Sequence, residues 1–232
     1  MTDPVEEPLA GGFQTPGVVR VGDTVRRPLH ARSEYVHAVL RHLEAVGFDG
    51  APRLLGIDDE GREVLSYLDG ATIVATPARL SDARLRSAGR LIRRFHDATA
   101  GTPLASGEEV VCHNELGPHN TVFRGDEAIG LIDWDEYVAP GPRLIDLGHA
   151  VWCFADVGEE GGPVAEQARR VRLLCDAYGW HDAGAVIDEI AHRLRRARDD
   201  HARAGREAPR AVFEGLVAWM DDHAPALKAG SR

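Results

Sequence analysis

Apolar positions follow two rhythms along this chain, and the change of rhythm divides it. Up to about residue 70 the apolar runs are short and rich in β-branched residues. VVRV (18–21), a Gly22-Asp23 turn and TVRR alternate as the arms of a hairpin do, and PRLLGIDDEGREVLSYL predicts a second hairpin around Asp59-Glu60-Gly61. Between them Val36, Val39, Leu40 and Leu43 recur at helical spacing, so a helix is expected from an N-cap at Ser33 to about Val46. Beyond Gly70 the period lengthens. Leu85, Ala88, Leu91, Ile92 and Phe95 share one face of residues 79–99 with arginines opposite, and further helices are expected near 143–156, 163–178, 183–204 and 210–222.

The resulting organisation is α+β and two-lobed. Residues 1–12, rich in Glu, Pro and Gly, read as a flexible lead-in, 13–70 as a small β-rich lobe with one helix, 71–223 as a larger helical lobe and 224–232 as a tail. GEEGGP (158–163) lacks the lysine and hydroxyl residue of a phosphate loop, so it reads as a flexible connection between helices.

One stretch breaks both rhythms. VVCHNELGPHNTVF (110–123) packs two histidines, a glutamate and two asparagines between strand-like ends, and Gly117-Pro118 interrupts it. Those polar residues therefore sit on a loop held between short strands, where binding and catalytic side chains concentrate. His113, Glu115 and Asn120 fit H-x-acid-x-x-x-x-N, and thirteen residues past Asn120 Asp133 stands at the end of an apolar strand in LIDWD. A kinase catalytic loop uses this order: a carboxylate for the acceptor hydroxyl proton, an asparagine for a metal ion, and a later aspartate for the metal that bridges the phosphates.

Composition narrows the chemistry. The chain has 232 residues and a hydrophobic fraction of 44%, enough for a sizeable core. No run approaches the roughly 20 apolar residues of a membrane span, and the acidic start MTDPVEEPLAGG is unlike a signal peptide, so a cytoplasmic protein is expected. Cys112, Cys153 and Cys175 are too scattered for a disulfide framework or a CxxC metal site. A net charge of -10 argues against general nucleic-acid binding and is compatible with a cationic small substrate. His113-Asn114-Glu115 matches the H-x-E of zinc deaminases, but their P-C-x-x-C partner is absent. Nearly all positive charge is arginine, and Lys228 is the only lysine.

With CHNELGPHN, LIDWDEYVAPGPRLIDLGHAVW and, more loosely, VLRHLEAVGFDGAPRLLGIDDEGREVLSYLDG, the chain resembles the aminoglycoside phosphotransferase family, also called the phosphotransferase enzyme family, a branch of the protein-kinase-like fold. The resemblance runs from about residue 17 to 222. It implies Mg²⁺, ATP or GTP as co-substrate, and a small-molecule acceptor. By resemblance Asn120 and Asp133 are metal ligands, Asp135 lies nearby or on the surface, Asp146 braces the catalytic loop, His113 and Glu115 belong to the catalytic motif, and Ser66, Tyr67 and Leu68 form the hinge that meets the base.

Two departures stand out. A kinase pairs a lysine on its third strand with a glutamate on its first helix; here the lysine's role is either empty or taken by Arg26 or Arg27, and Glu34 is a nearby candidate for the glutamate. Glu115 replaces the usual aspartate, which lengthens the acid by one methylene. Two readings follow: a nucleoside-triphosphate-dependent kinase for a small polar molecule, or a degenerate kinase fold that binds nucleotide or metabolite without phosphotransfer.

Overall fold

A computed structural model describes residues 5–9, 17–73 and 80–231. The small lobe is an antiparallel five-stranded sheet in the order β1-β2-β3-β5-β4, formed by β1 (Glu7–Pro8), β2 (Val19–Val21), β3 (Thr24–Arg27), β4 (Leu54–Ile57) and β5 (Glu63–Ser66). Both expected hairpins are present. Of the expected lead-in, residues 5–9 are described, and there Glu7 and Pro8 pair with Arg20 and Val19 and extend the sheet edge; the rest of 1–12 lies outside the described residues.

Between β3 and β4 runs α1 (Ser33–Ala45), whose Val36, Val39, Leu40 and Leu43 are buried as its spacing predicts. Its start differs in one detail. Arg32 occupies the cap position, and the Ser33 hydroxyl accepts from the His30 amide at 2.9 Å, closing the turn that precedes the helix.

The larger lobe opens with α2 (Asp82–Thr99), where Ser81 caps the first turn by accepting from the Arg84 amide at 3.2 Å. Two small antiparallel ribbons follow. β6 (Val110–Cys112) pairs with β9 (Ala139–Gly141), and β7 (Thr121–Arg124) pairs with β8 (Glu127–Leu131). The strands flanking the polar loop thus pair with other partners and not with each other, which holds that loop open between two ribbons.

Four helices complete the lobe: α3 (Arg143–Phe154), α4 (Val164–Tyr178), α5 (Ala183–Arg203) and α6 (Glu207–Gly230). The expected tail at 224–232 is corrected here. α6 runs through Pro225 to Gly230 because Leu227 is fully buried, and that burial offsets the hydrogen bond that an interior proline removes. Lys228, on the same turn, pairs with Asp188 of α5 at 2.5 Å.

The connection at 158–163 is pinned, contrary to its glycine-rich composition. The buried Gln167 amide bonds to Gly158 on both its N–H (3.0 Å) and its carbonyl (2.8 Å), and to the Gly162 carbonyl (2.8 Å). Gly161 passes so close to the Asp156 carbonyl that a Cβ there would lie 1.8 Å from it. Gly161 serves close approach and Gly162 a positive φ (81°), which composition alone reads as mobility.

One continuous core unites the lobes, running from Val36 and Leu40 through Leu91, Phe95 and Trp134 to Leu147, Leu174 and Ile190. Among the described residues no helix is long and apolar enough to cross a membrane.

Candidate active site

The polar loop is held from below by one carboxylate. Asp146, in the first turn of α3, is fully buried and accepts from the His113 and Asn114 amides, both at 2.7 Å, and from His96 Nε2 at 3.0 Å. Burial works to raise its pKa, but the hydrogen bond and charge of His96, with help from His113, outweigh it and hold the carboxyl below its ordinary range. Asn114 turns the chain through a left-handed conformation (φ 66°), and Arg193 of α5 donates to its carbonyl at 3.0 Å.

His113 ties the loop sideways. Its Nε2 lies 3.0 Å from the Ile132 carbonyl, and its buried ring meets Trp134 edge-on. Burial pushes its pKa down. Asn120 is also buried; its Nδ2 donates to the Glu115 carbonyl at 3.0 Å, and its own carbonyl accepts from the Ile132 amide at 2.9 Å. The loop and the exit of β8 are thereby stitched together.

Three carboxylates converge above this brace. Oxygens of Glu115, Asp133 and Asp135 all lie within 4.8 Å of one another. Asp133 reaches the cluster from a left-handed residue (φ 64°), and Asp135 also accepts from the Tyr137 amide at 2.9 Å. Burial, then the Asp135 and Asp133 charges, raise the Glu115 pKa to about 7. Asp135 is raised as well, chiefly by burial, with the Asp133 charge adding to it. Hard oxygen donors in such a group suit Mg²⁺, whose charge offsets this mutual repulsion.

Next to the carboxylates a cavity of about 260 Å³ opens between the lobes. Val25, Leu65, Val122 and Ile132 supply apolar walls, Ser66, Tyr67 and Leu68 line it at the end of β5, and Arg27, Asn120 and Asp133 form its polar end. His119 is at its lip. Arg26 takes no part in the lining. Alternation along β3 sends it to the other face, where it lies 3.5 Å from Asp58 and donates to Thr24 at 2.6 Å.

Arg27 is the residue that the cleft receives, and it is 4% exposed. Its Nε donates to Glu63 Oε1 at 2.5 Å, its Nη1 to Asp133 Oδ1 at 3.2 Å and its Nη2 to the Trp134 carbonyl. The other Glu63 oxygen meets His37 Nε2 of α1 at 2.7 Å. Glu34, the sequence candidate for a helix partner, is exposed. Glu63 and His37 escaped sequence reasoning, although a signal existed: pairing of the two hairpins puts Arg27 directly opposite Glu63.

Comparison with known proteins agrees with this architecture. Residues 98–186 match the phosphotransferase enzyme family. A curated relative, the trifolitoxin immunity protein of Rhizobium leguminosarum bv. trifolii, is 35% identical over 225 residues, covering 86% of this chain and 84% of its own. Among solved structures, a spectinomycin phosphotransferase in complex with ADP and spectinomycin superposes with a TM-score of 0.57 at 11% identity, over 97% of this chain and 92% of that one. A choline/ethanolamine kinase family protein from Mesorhizobium loti gives 0.52 at 17% identity, over 98% and 93%. These likenesses show the protein-kinase-like fold.

Proposed function

Because the chain belongs to the phosphotransferase enzyme family, we propose that it moves the γ-phosphoryl group of ATP or GTP to a hydroxyl of a small polar molecule. The observation that carries this reading is the convergence of Glu115, Asp133 and Asp135 at the polar end of an apolar, base-sized cavity. In this reading the nucleotide base would lie against Val25, Leu65 and Ile132, with Ser66, Tyr67 and Leu68 at its edge.

Asp133, Asp135 and Asn120 would hold Mg²⁺, which would supply neutralisation of charge on the phosphate oxygens. Glu115 takes the acceptor's proton. Before a cation binds, burial and then the Asp135 and Asp133 charges raise the pKa of its half-buried carboxylate to about 7, and it stands in the cluster where the acceptor hydroxyl would meet it. His113 contributes by fixing the loop, since its ring is buried and engaged with Ile132. Asp146 sets the loop's height beneath it.

A screen of hydroxylated acceptors with labelled ATP and GTP tests the proposal. A relative named a trifolitoxin immunity protein and a structural neighbour in complex with spectinomycin make toxins and spectinomycin-like hydroxylated molecules the first set to try. Label on an acceptor, dependent on Mg²⁺ and on Glu115, supports transfer. The second reading, nucleotide binding without transfer, is favoured by one observation: all three guanidinium nitrogens of Arg27 are engaged by protein acceptors. Mg²⁺-dependent thermal stabilisation by nucleotide, with no acceptor labelled across a broad screen, would decide for it.

A further inference from the structure

Arg27 has a setting that differs from that of the lysine it replaces. A kinase lysine pairs with a helix glutamate and offers its remaining donors to the phosphates. Here the carboxylate partner comes from the neighbouring strand β5, and the helix contributes an imidazole behind it. Glu63 is fully buried, His37 is nearly so, and each Glu63 oxygen has its own partner. The far end of the guanidinium rests on Asp133 and on the carbonyl of Trp134, the next residue.

We infer that His37 and Glu63 are positioning residues for Asp133, acting through Arg27, so that one hydrogen-bonded line runs from α1 through β5 and β3 to the metal-binding aspartate. Each link has a physical reason. Register places Arg27 and Glu63 side by side on one face of the sheet. An unpaired carboxylate at full burial is costly, so Glu63 holds the guanidinium firmly. The planar fork then presents Nη1 and Nη2 in fixed directions, which a lysine ammonium does not do. Asp133 has an unusual left-handed backbone, and the paired contacts to its carboxylate and to the following carbonyl hold that turn in place.

The line also connects the lobes. A shift of α1 is transmitted to Asp133 by the bonded chain. This inference rests on the nucleotide-and-metal reading above, and its test separates the two.

Titration calorimetry on the full chain uses whichever of ATP and GTP wild type binds more tightly, with and without Mg²⁺, and the matching nucleoside. Groups that orient a metal ligand are worth about 10–100-fold in metal affinity. Glu63→Gln and His37→Leu should therefore lose about tenfold or more of the Mg²⁺-dependent gain in triphosphate affinity, with nucleoside affinity within about twofold of wild type. His37→Gln, whose amide can reach Glu63 as Nε2 does, should recover most of the loss. Unchanged Mg²⁺-dependent affinity in both variants overturns the inference, as does an equal loss for nucleoside and triphosphate, which marks a merely structural role. Should Glu63→Gln fail to fold, the two His37 variants decide by the same criteria. Wild type that binds neither triphosphate defeats the nucleotide reading itself.

Discussion

Asp146 and Glu115 serve the same loop, and their surroundings drive them in opposite directions. Asp146 is more deeply buried, yet two backbone amides and His96 keep it ionised below its ordinary range. Glu115 is only half-buried, and it faces Asp133 and Asp135, so its pKa climbs to about 7. Depth of burial therefore does not set the sign. What the carboxylate meets there does, with donors below the loop and like charges above it. The lower region is an anchor, and the upper one stores electrostatic repulsion that a cation or a proton can relieve.

The strongest way to break this contrast is to remove the anchor. Asp146→Ala should cost about 3–5 kcal/mol of stability, because it strands His96 and two loop amides in the core. Urea titration followed by circular dichroism would measure that loss, and stability close to wild type would mean that the loop stands without Asp146. On the upper side, Glu115→Gln should lower turnover of a confirmed acceptor by about 10²–10⁴-fold while nucleotide affinity barely changes. Steady-state rates at saturating nucleotide and Mg²⁺ check this. A matching loss of nucleotide affinity would reassign Glu115 to the metal.

Asp133→Asn comes next: as the change of a direct ligand it should weaken Mg²⁺-dependent nucleotide binding by at least the roughly 10–100-fold that loss of an outer partner costs, with little change in melting temperature, since the amide can still accept from Arg27.

The pH dependence of stability sharpens the contrast further. The Glu115 pKa in the folded protein lies above its ordinary 4.5, so the stability linked to its proton is whole below about pH 4.5 and disappears as pH rises through 7. Glu115→Gln carries no such dependence. Its melting temperature should overtake wild type as pH rises from 4.5 to 8. For Asp146 the sign reverses: the pKa is depressed, so its contribution is present above the ordinary 3.8 and is lost as pH falls through the folded value. Melting curves of Asp146→Asn should then fall furthest below wild type near neutral pH and converge with it in acid.

The smallest effect expected is that of Arg26→Ala, which leaves nucleotide affinity unchanged because the side chain lies on the far face of β3. A clear loss would return Arg26 to the phosphates.

Much of this was legible in the sequence because it depends on local periodicity. Val36 to Leu43 and Leu85 to Phe95 announce their helices, and the loop motif announces itself by spacing. Features that depend on contacts between distant segments were not legible in the same way. Glu63 becomes the partner of Arg27 only once the two hairpins pair, and His37 completes the chain only once α1 lies against them. Asp135 looked equally suited to the surface until its backbone turn brought it within reach of Glu115 and Asp133. The expected end of the last helix near residue 222 is overridden by the burial of Leu227, and the glycines at 158–162 suggested slack that Gln167 removes.

Arg27 has one more consequence, for reagents. A guanidinium stays protonated at any pH the protein survives, so it is not a nucleophile. Acylating labels and covalent inhibitors that attack the amine of a kinase cleft find no target in this one. Lys228, held to Asp188 at 2.5 Å near the end of α6, carries the only side-chain amine. A fluorophore coupled to it would report from the helical lobe and leave the cleft chemically untouched.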